Sequence, residues 1–137
     1  MKNTLFKAAT GIAGLYHILL AAIGLLFPIE IAAKAFTVAL GISIEVTPEL
    51  TFIAKFISVY MLAFGIMLLI LAYNPIKYRA FTWPVLALFG ARFLNRVIFF
   101  GLLSTTFGMT LSRNIIGSVL ILIFFLGIWM TMPKEQS

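Results

Sequence analysis

In a chain that is otherwise apolar, the chemistry is concentrated in one histidine, His17, and in the segment Gly90-Ala91-Arg92-Phe93-Leu94-Asn95-Arg96. Spacings of three and four residues put Arg92, Asn95 and Arg96 on one face of a helix. Two guanidiniums and an amide on one face can hold an anion: a lipid phosphate, a carboxylate or the polar head of a cofactor. They can equally pair with carboxylates of the same chain, and Glu30, Glu45 and Glu49 are the candidates, with Asn114 as a further polar partner. Lys55, which shares a helical face with Ser58, is the third cation of the group. His17 has two readings. It is an axial ligand for a haem or chlorophyll, or a neutral interior imidazole bonded to Asn95, Tyr60 or a backbone carbonyl. A bis-histidine haem would need a second chain, because no other His is present.

What is missing narrows the chemistry further. Without cysteine there is no disulfide, thiol nucleophile or iron–sulfur ligation, and one His with four carboxylates is too few for most metal sites. No HExxH, GxSxG, Walker-type loop or glycine-rich dinucleotide fingerprint occurs, so triad hydrolysis and nucleotide chemistry have no carrier. Catalysis would need unconventional machinery, and a non-enzymatic role is the expectation. The formal charge of +6 comes from ten scattered basic residues, three of them inside apolar stretches, which argues against a nucleic-acid face.

These side chains must be positioned by membrane-spanning elements. The chain is 63% hydrophobic and 10% charged with a mean hydropathy of +1.14, far from a soluble domain of 137 residues. Crossing hydrocarbon takes roughly 20 apolar residues in a helix that satisfies its own backbone. Four stretches qualify, at about 8–27, 50–73, 80–102 and 114–132, each stopping near a proline or polar turn. The first imitates a signal peptide, but its apolar run exceeds the usual length and a retained span is expected. Short connections favour a single domain, an antiparallel bundle of four transmembrane helices. The one long connection, about 29–49, repeats Ala32, Ala35, Phe36, Ala39 and Leu40 at helical spacing. It predicts a short external interfacial helix ended by Gly41.

Orientation follows the basic flanks. Lys2, Lys7, Lys77, Arg79 and Lys134 fall on one side against Lys34 and Arg113 on the other, which makes both termini cytoplasmic. Counting from residue 80, Arg92 lies roughly 18 Å and Arg96 roughly 24 Å from the inner boundary, with Lys55 between them in depth. Two arginines at about 2.5–3.5 kcal/mol each cancel most of the favourable apolar content of the third span, so that span depends on partners. Gly14, His17, Ala21 and Gly24 form a small-residue seam that turns His17 toward protein, and Gly117 and Gly127 hint at a second seam. Tyr73, Tyr78, Trp83 and Trp129 mark an interfacial belt at the inner edge.

With Pro28 closing the first span, the longer external segment and GARFLNR in the third, the chain resembles the small four-helix membrane proteins of the DoxX-like and BphX-like type. The resemblance covers nearly the whole chain. It implies a bacterial or archaeal cytoplasmic membrane and an accessory role beside a redox system, with no catalytic residues to transfer. The expected function is thus a non-enzymatic scaffold or accessory subunit that associates with itself or with other membrane subunits and holds lipid. The alternatives are a haem- or chlorophyll-binding subunit of an electron-transfer or light-harvesting assembly, resting on His17, and a small anion or lipid transporter using Lys55, Arg92 and Arg96.

Overall fold

The computed structural model describes residues 2–40 and 45–133, and these are helical with no strand. Six helices are ordered as α1 (Lys2–Leu26), α2 (Ile29–Leu40), α3 (Pro48–Tyr73), α4 (Thr82–Ile98), α5 (Phe100–Phe107) and α6 (Leu111–Thr131), with a 3-10 turn over Arg79–Phe81 leading into α4. By length and composition α1, α3 and α6 could each cross a membrane, and the broken pair formed by the turn with α4 and α5 brings the number to as many as four. Their surfaces agree with that reading. Only 22% of the most apolar stretch of α3 and 17% of that of α6 are buried inside the protein, and side chains such as Phe52, Ile98 and Ile123 are exposed. Water would leave such faces unsatisfied, whereas lipid would not.

The third stretch departs from expectation. Instead of one helix over 80–102, the chain breaks at Phe99 (φ −100°, ψ 20°) and α5 leaves α4 at 71°. Val97, Ile98, Phe99, Phe100 and Gly101 are successive β-branched, aromatic and glycine residues, all weak helix formers, and they locate the bend without a proline. Left-handed Gly108 (φ 63°) then ends α5 and lets the Met109 N–H turn back to Leu103 O at 3.2 Å.

The segment after Pro28 is helical as expected, and α2 folds back on α1, with Ala32 buried against Leu20 and Ile23 while Lys34 and Val38 stay exposed. The expected stop at Gly41 lies outside the described residues. Thr47 caps α3 by accepting from the Leu50 N–H at 3.2 Å, ahead of Pro48 at the first helical position.

Two antiparallel pairs make up the body. α1 meets α3 through Gly14 and Gly65, so closely that a Cβ on Gly65 would lie 2.9 Å from the Gly14 carbonyl oxygen. α4 runs against α6, with Asn114 bonded to the Arg96 carbonyl near one end, Phe89 stacked on Phe124 in the middle, and Val85 sharing a core with Ile128 toward the other. α6 also packs on α1, whereas α3 barely touches α4. The result is a ring of four helices that stays open between α3 and α4. Phe6, Tyr78 and Met132 join one cluster, so the start of α1, the α3–α4 connection and the end of α6 lie together. Exposed Tyr73, Trp83 and Trp129 stand at the ends of helices that meet there.

Candidate functional site

At the centre of the ring α1 presents His17, only 3% exposed, with Phe64, Tyr16 and Phe89 edge-on to its ring at 4.9, 5.4 and 6.2 Å between centroids. The ring Nδ1–H donates to the Ala13 carbonyl one turn back, at 2.7 Å. A guanidinium has no acceptor, so the Arg92 Nη1 contact with Nε2 at 2.5 Å is a bond donated by Arg92 to a lone pair on the imidazole. The two bonds together define the neutral Nδ1–H tautomer. His17 therefore reaches a backbone carbonyl, as one of its readings has it, and its other partner is an arginine 75 residues away rather than Asn95 or Tyr60. Tyr60 is 62% exposed and its ring meets Phe56. Both imidazole nitrogens are spent, and axial ligation of a macrocycle would require His17 to give up one of these bonds.

Arg92, Asn95 and Arg96 do share a face. All three line an open hollow of about 370 Å³ together with Leu88, Leu103 and Met109. Arg92 also lines a groove of about 480 Å³ on the α3 side and a space of about 210 Å³ toward α6, so it stands where three cavities meet. The Arg96 guanidinium lies against α6 at Gly117, where a Cβ would come within 2.5 Å of Nη1 and 2.7 Å of Cζ. Its Nη1 also approaches the sulfur of buried Met109 at 3.8 Å. Gly117 thus makes room for a side chain rather than forming a helix seam with Gly127, which has nothing within 4 Å. Asn114 is buried and its Nδ2 donates to the Arg96 carbonyl at 3.3 Å, a main-chain acceptor close to the end of α4; its Oδ1 has no partner.

Lys55 stands apart from the arginines. Its Nζ donates to the carbonyls of Leu25 and Phe27, both at 3.0 Å, at the end of α1, whose last turn has no basic residue of its own. The ammonium does the work of a C-terminal cap there. That end is eight to ten residues beyond His17, or roughly 12–15 Å along the helix, so the three cations do not sit at one level. The acids of α2 and of the segment before α3 are not drawn in either: Glu30, Glu45 and Glu49 are exposed, and no bond among the described residues joins any of them to Arg92. The aromatic wall formed by Tyr16, Phe64 and Phe89 and the buried sulfur of Met109 had no signal in the sequence, since Phe and Met are frequent throughout the spans.

Of the buried hydroxyls elsewhere, Thr82 Oγ1 and Ser118 Oγ have no hydrogen-bond partner among the described residues, whereas two bond within their own helix. Thr10 donates to Phe6 O at 2.7 Å and Ser58 to Ala54 O at 2.8 Å, each bonding back within its own helix. The described residues include no group of three or more His or carboxylate side chains placed to hold a metal ion. Comparison with protein-family models, characterised proteins and solved structures finds no match for this chain.

Proposed function

We propose that the chain is a non-catalytic integral membrane protein, a four-span antiparallel bundle, whose Arg92 face binds an anionic ligand of the membrane. The observation that carries this is the partner of Arg92: a neutral imidazole that takes one hydrogen bond and returns no charge. A guanidinium held among apolar helices without a counter-charge costs several kcal/mol, and an anion arriving from outside the chain relieves that cost. The exposure of Glu30, Glu45 and Glu49 favours such an external anion over a carboxylate of the loop. The adjoining cavity provides space, and Arg96 and Asn95 add further donors. An accessory role in a bacterial or archaeal cytoplasmic membrane, as the DoxX-like resemblance implies, is compatible with a lipid-holding subunit of this kind.

The test is thermal unfolding of the purified protein in an uncharged detergent with anionic or zwitterionic amphiphiles added. Anionic additives are expected to raise the midpoint of the wild type, and Arg92→Gln to remove that increment while keeping the response to zwitterionic ones. Equal stabilisation by both classes would overturn the reading.

A further inference from the structure

We infer that the anion is a long-chain carboxylate whose tail lies in the groove between α3 and α4 and whose head reaches Arg92. The inference rests on the anion-binding reading and adds the class of ligand. The groove of about 480 Å³ is walled by Ile57, Met61, Phe64 and Met67 of α3 and by Leu88 of α4, and His17 and Arg92 stand where it meets α1. Apart from those two groups and Tyr60 its lining is apolar, as a hydrocarbon tail requires. Because α3 barely touches α4, the groove opens sideways along the ring, on a face whose neighbours in a bilayer are acyl chains. Two methionines in the wall suit a flexible tail, since their unbranched side chains repack at little cost.

The head is identified by Arg92. Its Nη1 bonds His17, and the Nε and Nη2 hydrogens, which form a planar fork, have no bond among the described residues. That fork matches the two oxygens of a carboxylate. Charge complementarity and the apolar channel therefore converge on one amphiphile. Position separates a carboxylate from a phospholipid. Arg92 lies six residues from the end of α4, roughly 9 Å inside it. A small planar head on a single tail can follow one groove to that depth, whereas a diacyl phospholipid must place a second tail and a tetrahedral, ester-linked head.

Binding of radiolabelled oleate to the protein in phosphatidylcholine nanodiscs tests this, with methyl oleate, acetate and phosphatidylglycerol as competitors. Unlabelled oleate is expected to compete at least about tenfold better than any of the three, and Arg92→Gln to weaken oleate binding about tenfold, as when a charge-assisted bond becomes a neutral one. Ala63, exposed in the groove wall, gives a variant that leaves the arginine in place: Ala63→Trp should fill the groove and lower oleate binding by a similar factor without lowering the unfolding midpoint. Acetate competing as well as oleate, or Ala63→Trp binding oleate normally, would sink the tail groove and leave the anion site standing. Phosphatidylglycerol displacing oleate would sink the carboxylate in favour of a phospholipid. Oleate binding that is absent, or unaffected by Arg92→Gln, would sink the carboxylate; if Arg92→Gln also leaves the response to anionic amphiphiles unchanged, the anion site falls with it.

Discussion

His17 and Arg92 form a donor–acceptor pair in which each group meets the other's requirement, and that mutual dependence can be measured. Replacing His17 with Phe keeps a ring among Phe64, Tyr16 and Phe89 but removes both the bond to Ala13 and the acceptor for Arg92. A buried donor left without a partner costs about 1–3 kcal/mol, more when it is charged. Replacing both members by apolar groups removes that penalty, because nothing polar is then stranded. His17→Phe should therefore destabilise the protein by about 1–3 kcal/mol, and His17→Phe with Arg92→Leu by clearly less than the sum of the single changes. Reversible unfolding in mild detergent supplies the double-mutant cycle. Additive effects within about 0.5 kcal/mol would mean that the pair is only an incidental contact.

The element that binds the ring together is the α1–α3 pair, where absence of side chains matters more than their presence. A methyl on Gly65 would meet the Gly14 carbonyl oxygen at 2.9 Å, the Ile18 amide nitrogen at 3.1 Å and Ile18 Cγ1 at 2.7 Å, and two of these are backbone atoms that cannot rotate away. At Gly14 the added methyl meets mainly the movable end of Leu69, at 2.9 Å, with the Gly65 oxygen at 3.0 Å. Gly65→Ala should cost about 1–3 kcal/mol, as overpacking does, and Gly14→Ala less. Thermal unfolding of the two variants orders them, and the reverse order would contradict the packing. Part of this was legible in the sequence: apolar runs marked α1, α3 and α6, the small residues around His17 turned it inward, and the spacing of Arg92, Asn95 and Arg96 gave their common face. Gly65 was not legible, because a contact between residues 51 positions apart has no periodic signature. Nor was the bend at Phe99, where no proline marks the break. Depth along a span likewise could not place Lys55, because the register of α3 on α1, fixed by Gly14 against Gly65, sets Lys55 abreast of the end of α1, where its ammonium meets the Leu25 and Phe27 carbonyls.

At the scale of the whole molecule the unequal distribution of charge meets the question of how many helices cross. Lys2, Lys7, Lys77 and Arg79 belong to the end where Phe6, Tyr78 and Met132 cluster, and Lys134 follows it in sequence. The opposite end has Lys34 and Arg113 with Glu30, Glu45 and Glu49, so the positive excess is at one end only. We predict from the retention of positive charge on the cytoplasmic side that the start of α1 and the α3–α4 connection lie inside and α2 outside. The bend between α4 and α5 admits a different arrangement, in which the pair re-enters and returns to the side it came from. Packing argues against that arrangement: α4 lies antiparallel along α6, so the start of α6 stands at the far end of α4 from Lys77. Because the chain has no cysteine, single cysteines at the exposed positions Lys34, Lys77 and Ser112 can be read without background. In intact cells an impermeant thiol reagent should label the Lys34 and Ser112 variants, and the Lys77 variant only after permeabilisation. Labelling of Ser112 together with Lys77 would make α4 and α5 a re-entrant pair and leave three crossings. Labelling of Lys34 and Lys77 from the same side would mean that α3 does not cross, and the bundle would have to be redrawn.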